Sequence, residues 1–230
     1  MNLTKPTHIA FIVAALVALC TAIFFEKFCL IYVQPLTVVT ILIIYFTEKK
    51  EPTSILYILA QVIGVLGGIL LILGMRNYLK TVSILFSLFY VLYLRLMYIR
   101  NTKKETPLRT YFYVFLMSLP VLYIYYSALS MISSELKEAA IYFSFLMFFM
   151  LSYIITALFF YLQDKTSANL WMLIAAVNLG FMNIIIGLNE LYMYETIFTV
   201  IIIFCSICIQ FFVLKFMLNE DDTDIMNTIS

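Results

Sequence analysis

ILYILAQVIGVLGGILLILG, residues Ile55–Gly74, carries no charge over twenty residues, and its one amide is Gln61. A helix needs about 20 mostly apolar residues to cross about 30 Å of hydrocarbon. Lipid offers no partner to an open backbone amide or carbonyl, so such a segment satisfies itself as a helix. Seven more stretches of the same kind surround it: Ile9–Phe25, Phe28–Phe46, Val82–Ile99, Leu108–Met131, Ala139–Leu162, Leu170–Leu188 and Thr196–Leu218. The fold class expected is therefore all-α, an integral membrane bundle of eight transmembrane helices forming a single domain over residues 1–218. An acidic tail follows at 219–230, with Glu220, Asp221, Asp222 and Asp224.

Composition agrees. Hydrophobic residues make up 64% of the chain and charged residues 12%, and the mean hydropathy is +1.04. Soluble domains carry about 25% charged residues, so half that fraction leaves too little polar surface for water. The net charge of +1 gives no electrostatic footprint for nucleic acid. No Gly/Ser/Pro-rich linker separates the apolar segments. Lys5 ahead of the first apolar run resembles the start of a signal peptide. The run meets Glu26 and Lys27 and then another span, without a small-residue cleavage site, which favours a first membrane helix.

Eight crossings put both termini on one side. That side collects nine basic residues (Lys5, Lys49, Lys50, Arg100, Lys103, Lys104, Arg109, Lys165, Lys215), and the other four (Lys27, Arg76, Lys80, Lys137). Excess Lys and Arg mark the cytoplasmic side, so both termini are expected there. The short loops suggest a bacterial cytoplasmic (inner) membrane. The Arg100–Arg109 loop divides the chain into two groups of four helices, yet no matching broken helices reveal a duplication.

Polar residues inside spans are costly and are the natural candidates for a site. In the third span, Gly64 and Gly68 are one turn apart and let another helix approach closely. The alternative is a notch that admits a lipid chain, with Gln61 as its hydrogen-bonding group. In the seventh span Gly180, Asn183, Gly187 and Glu190 share one face, a candidate polar pocket at the external boundary unless Glu190 lies in a loop and meets water. Arg95 near the end of the fourth span either snorkels to the interface or receives a lipid phosphate. Tyr90, Tyr93, Tyr123, Tyr125 and Tyr126 suit interfaces and wet cavities, and identify no ligand.

No metal or cofactor set stands out. Cys205 and Cys208 spell a CxxC, but it lies mid-span between Phe204 and Phe211, where a thiolate is disfavoured. Cys20 and Cys29 add no motif. His8, the one histidine, opens the first span, and there is no nucleophile elbow, paired-histidine helix or phosphate loop.

The order of several short motifs resembles the YhhN family, eight-helix membrane proteins that include the lysoplasmalogenases. Val33-Gln34-Pro35-Leu36-Thr37 looks like the family's Lys-Pro-Leu-Thr segment, and Gly67-Gly68-Ile69-Leu70-Leu71 its Gly-Asp-Val-Leu-Leu. Arg95-Leu96-Met97-Tyr98 takes the place of a His-x-x-Tyr pattern, and Phe149-Met150-Leu151-Ser152-Tyr153 with Ala157 that of Phe-x-x-Ser-Asp followed by Ala. Ile209-Gln210-Phe211-Phe212-Val213 is similar to an Ala-Gln-Tyr-Leu-Ile ending. The likeness covers about Tyr32 to Leu218, in the right order.

The resemblance implies hydrolysis of the vinyl-ether bond of lysoplasmalogens, which needs an acid to protonate the enol ether before water attacks. Here Gln34 stands for the family's Lys, Gly68 and Tyr153 for its two Asp, and Arg95 for its His. Tyrosine, with a reference pKa of about 10, is a poor acid for that step. The resemblance with these departures points to a lipid-binding member that does not hydrolyse the bond, with membrane lipids, including lysophospholipid, as partners. Two other readings stay open. One is an active hydrolase using Glu190, Asn183 or Tyr153 as substitutes. The other is a small-solute transporter or a subunit of a membrane complex. Substrate-contact candidates are Gln34, Gln61, Arg95, Tyr153, Asn183 and Glu190.

Overall fold

The computed structural model describes residues 5–49, 52–101, 106–136 and 140–218. The acidic tail, Lys50, Lys103, Lys104 and Lys137 lie outside the described residues. The described chain is all-helical, with eight helices long and apolar enough to cross a membrane. In chain order they are α1 (Pro6–Phe24), α2 (Leu30–Glu48), α3 (Ile55–Met75), α4 (Asn77–Arg100), α5 (Leu108–Leu136), α6 (Ala140–Gln163), α7 (Ser167–Gly187) and α8 (Thr196–Leu218).

Local chemistry sets several of the boundaries. Pro6 opens α1, where its missing N–H is no loss. The Thr166 hydroxyl caps α7 by accepting from the Asn169 amide at 3.2 Å. Helical hydrogen bonding runs almost unbroken from Ile55 to Arg100, and the two helices part at Gly74, with φ 123° and ψ 109°. An L side chain is strained there, whereas glycine adopts the conformation freely. Pro35 and Pro120 lie inside α2 and α5, and each removes one backbone donor. Beside Pro35, the Thr37 hydroxyl donates to the Gln34 carbonyl at 2.8 Å.

The packing groups the helices differently from chain order. One compact unit comprises Met1–Ser54 with Thr166–Ser230, the other Ile55–Lys165. The first unit thus takes α1, α2, α7 and α8, and the second α3 to α6. In the first unit α1 packs on α2, and α8 packs on α1, α2 and α7. Trp171 of α7 stacks on Phe212 of α8, with centroids 5.7 Å apart and planes 12° from parallel.

In the second unit α3 and α4 form an antiparallel hairpin. Gln61 meets Tyr93, Gly64 meets Phe89 and Gly67 meets Phe86. Helix α6 packs on this hairpin, and α5 packs on α6. Phe86 and Phe89 occupy the space left by the missing side chains of Gly64 and Gly67. At Gly64 and Gly67 a close helix approach is thus real, and aromatic rings rather than a lipid chain fill the space there.

Candidate functional site

The interior of the Ile55–Lys165 unit is polar in an unusual way. Tyr57 on α3, Tyr90 and Tyr93 on α4, and Tyr153 on α6 are each no more than 1% exposed. Tyr57 and Gln61 are four residues apart, and Tyr90 and Tyr93 three, so each pair lies on one helix face. Gln61, itself buried, donates from Nε2 to the Tyr93 hydroxyl at 3.0 Å. The Tyr153 ring lies 5.9 Å from that of Tyr90 and 6.0 Å from that of Tyr93. Tyr57 and Tyr153 are close enough to Tyr93 to interact with it electrostatically. The edge of Phe89 packs on Tyr93 at 4.6 Å and closes the cluster toward Gly64.

Among the described residues, none of the three helices that carry these tyrosines, α3, α4 and α6, contains a carboxylate. The chain has no Asp or Glu from Ile55 to Asn101, or from Pro107 to Ser134. Gln61 and Tyr153, proposed from sequence as contact residues, do meet in one cluster. Gly68 is buried in α3. Arg95 departs from the site: it is exposed on α4, on the face shared by exposed Ile84, Leu88 and Val91. The buried stripe of α4 passes through Tyr90, Tyr93, Leu96 and Met97, which leaves position 95 on the opposite side.

The remaining candidates belong to the other unit. Gln34 on α2 has a buried Oε1 without a hydrogen-bond partner among the described residues. Asn183 on α7 donates to the Leu179 carbonyl at 2.7 Å, within its own helix. Glu190 lies in a π-helical turn, Leu188–Tyr192, that extends α7. Its wider winding breaks the α-helical register with Gly187 and Asn183, so the expected four-residue stripe does not continue to Glu190. Nor does Glu190 simply meet water. It pairs with Lys27 from the turn between α1 and α2, the two side chains being 12% and 19% exposed. The Tyr194 ring lies 5.7 Å from the same ammonium. Asn189, in the same π-helical turn as Glu190, is buried: it accepts from the Glu195 backbone N–H at 3.0 Å and donates to the Thr199 hydroxyl at 3.4 Å.

A second ionic cluster closes the opposite end of this unit. Glu48, at the end of α2, takes Lys5 Nζ at 2.6 Å and has His8 Nε2 at 2.9 Å. His8 thus meets a carboxylate forty residues away, in another helix. Among the described residues no group of three His, Cys, Asp or Glu side chains can hold a metal ion. Cys205 is buried and Cys208 half-buried, both as free thiols. Comparison of the chain with family models, curated proteins and solved structures finds no match.

Proposed function

We propose that this chain is an integral membrane protein on a YhhN-like frame that binds lipid and does not hydrolyse vinyl ethers. Both termini face the cytoplasm in this reading, which rests on nine basic residues against four, and the membrane is a bacterial inner membrane. The observation that carries the catalytic part is the environment of Tyr153. It stands where the likeness places an acid, is fully buried, and lies against the rings of Tyr90 and Tyr93, the latter hydrogen-bonded to Gln61. Enol-ether protonation needs a group that releases a proton at neutral pH, and none of these does so readily.

Lipid binding is supported by the outer surface. Helix α5 buries only 17% of its spanning window and exposes Tyr111, Phe112, Tyr113, Phe115, Tyr123 and Tyr126. Aromatic rings of this kind suit the boundary between acyl chains and headgroups. The first test is aldehyde release from a lysoplasmalogen by purified protein. None is expected; release that disappears in Tyr153→Phe or Glu190→Gln would overturn the reading and favour the hydrolase. The second is native mass spectrometry, in which phospholipid is expected to remain bound. Failure to retain or rebind any phospholipid after delipidation would remove the lipid-binding claim.

A further inference from the structure

A serine or threonine in a helix can donate to the carbonyl three or four residues earlier, which satisfies the hydroxyl without a tertiary partner. This chain does so at Thr21, Thr40, Thr47, Ser118 and Ser152. Ser83 and Ser87 of α4 depart from the habit. Both Oγ atoms are buried without a hydrogen-bond partner among the described residues, and Ser83 as a whole is 2% exposed. The usual backbone carbonyl is a rotamer change away, so these hydroxyls are not stranded for want of a local acceptor.

Their placement is ordered. Ser83, Ser87 and Tyr90 follow spacings of four and three and form one stripe along α4. Helical side chains lean toward the N-terminus, so the Tyr90 ring reaches back over the turn that carries Ser87. From Tyr90 the polar groups continue through Tyr153 and Tyr93 to Gln61, with the separations given above. The charged residues of α4 stay off this path: Lys80 and Arg95 are exposed and Arg100 is half-exposed at the helix end. The Cβ atoms of residues one turn apart lie about 5–6 Å from each other, and two hydroxyls that lean together across that gap come within about 4.5 Å, which a single water spans with two bonds of about 2.8 Å. Buried polar groups without protein partners are where ordered water is held.

We propose that the interior of the Ile55–Lys165 unit is a hydration site, in which water bridges Ser83 to Ser87 and extends past Tyr90 to the Tyr153–Tyr93–Gln61 cluster. The file is uncharged, so it takes water and offers no counter-charge to an ion. The inference is independent of the family likeness.

X-ray hydroxyl-radical footprinting of the full chain in lipid nanodiscs tests it, because radicals formed from bound water oxidise the side chains beside them. Relative to their rates in the unfolded chain, Tyr90, Tyr93 and Tyr153 are expected to be oxidised faster than Phe216, which is equally buried at 1% exposure in α8. The double variant Ser83→Ala/Ser87→Ala should lose this labelling at Tyr90 and melt at a lower temperature, because removing a bridged hydroxyl leaves its water and neighbours short of partners. Tyrosines as protected as Phe216 in the unaltered protein would overturn the proposal. So would a raised melting temperature in the double variant, the result for dry, stranded hydroxyls. If the double variant does not accumulate, Ser87→Ala alone, at the less buried position, is read the same way.

Discussion

Substituting Gly67 by alanine tests the hairpin most directly. A Cβ there would lie 3.1 Å from both Cε2 and Cζ of Phe86 and 3.4 Å from Cδ2. The ring cannot simply retreat. Phe86 is 8% exposed and packs edge-on against Phe89, which itself covers Gly64 with 3.0 Å between Cε2 and a Cβ placed there. Alanine stabilises a helix interior over glycine by roughly 0.5–1 kcal/mol, whereas overpacking a filled core costs typically about 1–3 kcal/mol. The net expectation for Gly67→Ala is a loss on the order of 1 kcal/mol. Gly187 supplies the control. It is helical, with φ −58° and ψ −45°, and nothing lies within 4 Å of its Cβ position, so Gly187→Ala should gain about 0.5–1 kcal/mol. Reversible unfolding in mixed micelles would compare the two variants. Phe86→Leu combined with Gly67→Ala should be more stable than the two single effects together imply, by roughly 0.5–3 kcal/mol of coupling. Equal stabilities for Gly67→Ala and Gly187→Ala, or an additive double variant, would refute the packing argument.

Other expectations follow from the polar contacts. Lys27→Met and Glu190→Gln should each cost about 1–3 kcal/mol, between the values for exposed and buried pairs; the exchange Lys27→Glu/Glu190→Lys should recover part of it in the same unfolding assay. In a cycle of Gln61→Leu and Tyr93→Phe, the hydrogen bond should appear as a coupling of about 0.6 kcal/mol, the average for interhelical bonds in lipid. Glu48→Gln leaves Lys5 and His8 without their shared carboxylate, and should lower the melting temperature more than Lys5→Gln, which removes one exposed partner only. Cysteines placed at Lys27 and at Lys165 should label with an impermeant maleimide from opposite sides of the membrane; labelling from one side would break the alternation of eight crossings.

Much of the helical frame was legible without a structure, and the reason is local. A span of Ile55–Gly74 is recognised by comparing its length with a bilayer, and backbone hydrogen bonding does the rest. The seam on α3 was legible only in outline. A helix that is apolar all round gives no moment to fix its rotation, so the sequence does not say what Gly64 and its neighbouring glycines face. The rings at Phe86 and Phe89 supply that for Gly67 and Gly64. Spacing likewise placed Asn183 and Glu190 on one face, because it assumes an α-helical period that the π-turn at Leu188–Tyr192 interrupts.

The sequence by itself determined eight apolar helices and the absence of carboxylates from all eight spans, since each follows from the residue types along one stretch of chain. Only the tertiary structure decided which polar groups meet. Lys27 finds Glu190 across 163 residues, and Gln61 finds Tyr93 across 32. Tyr90 and Tyr93 became core while Tyr123 and Tyr126 stayed on the surface. Tyrosine fits either place equally well by composition, and the choice between them is made by the neighbouring helix.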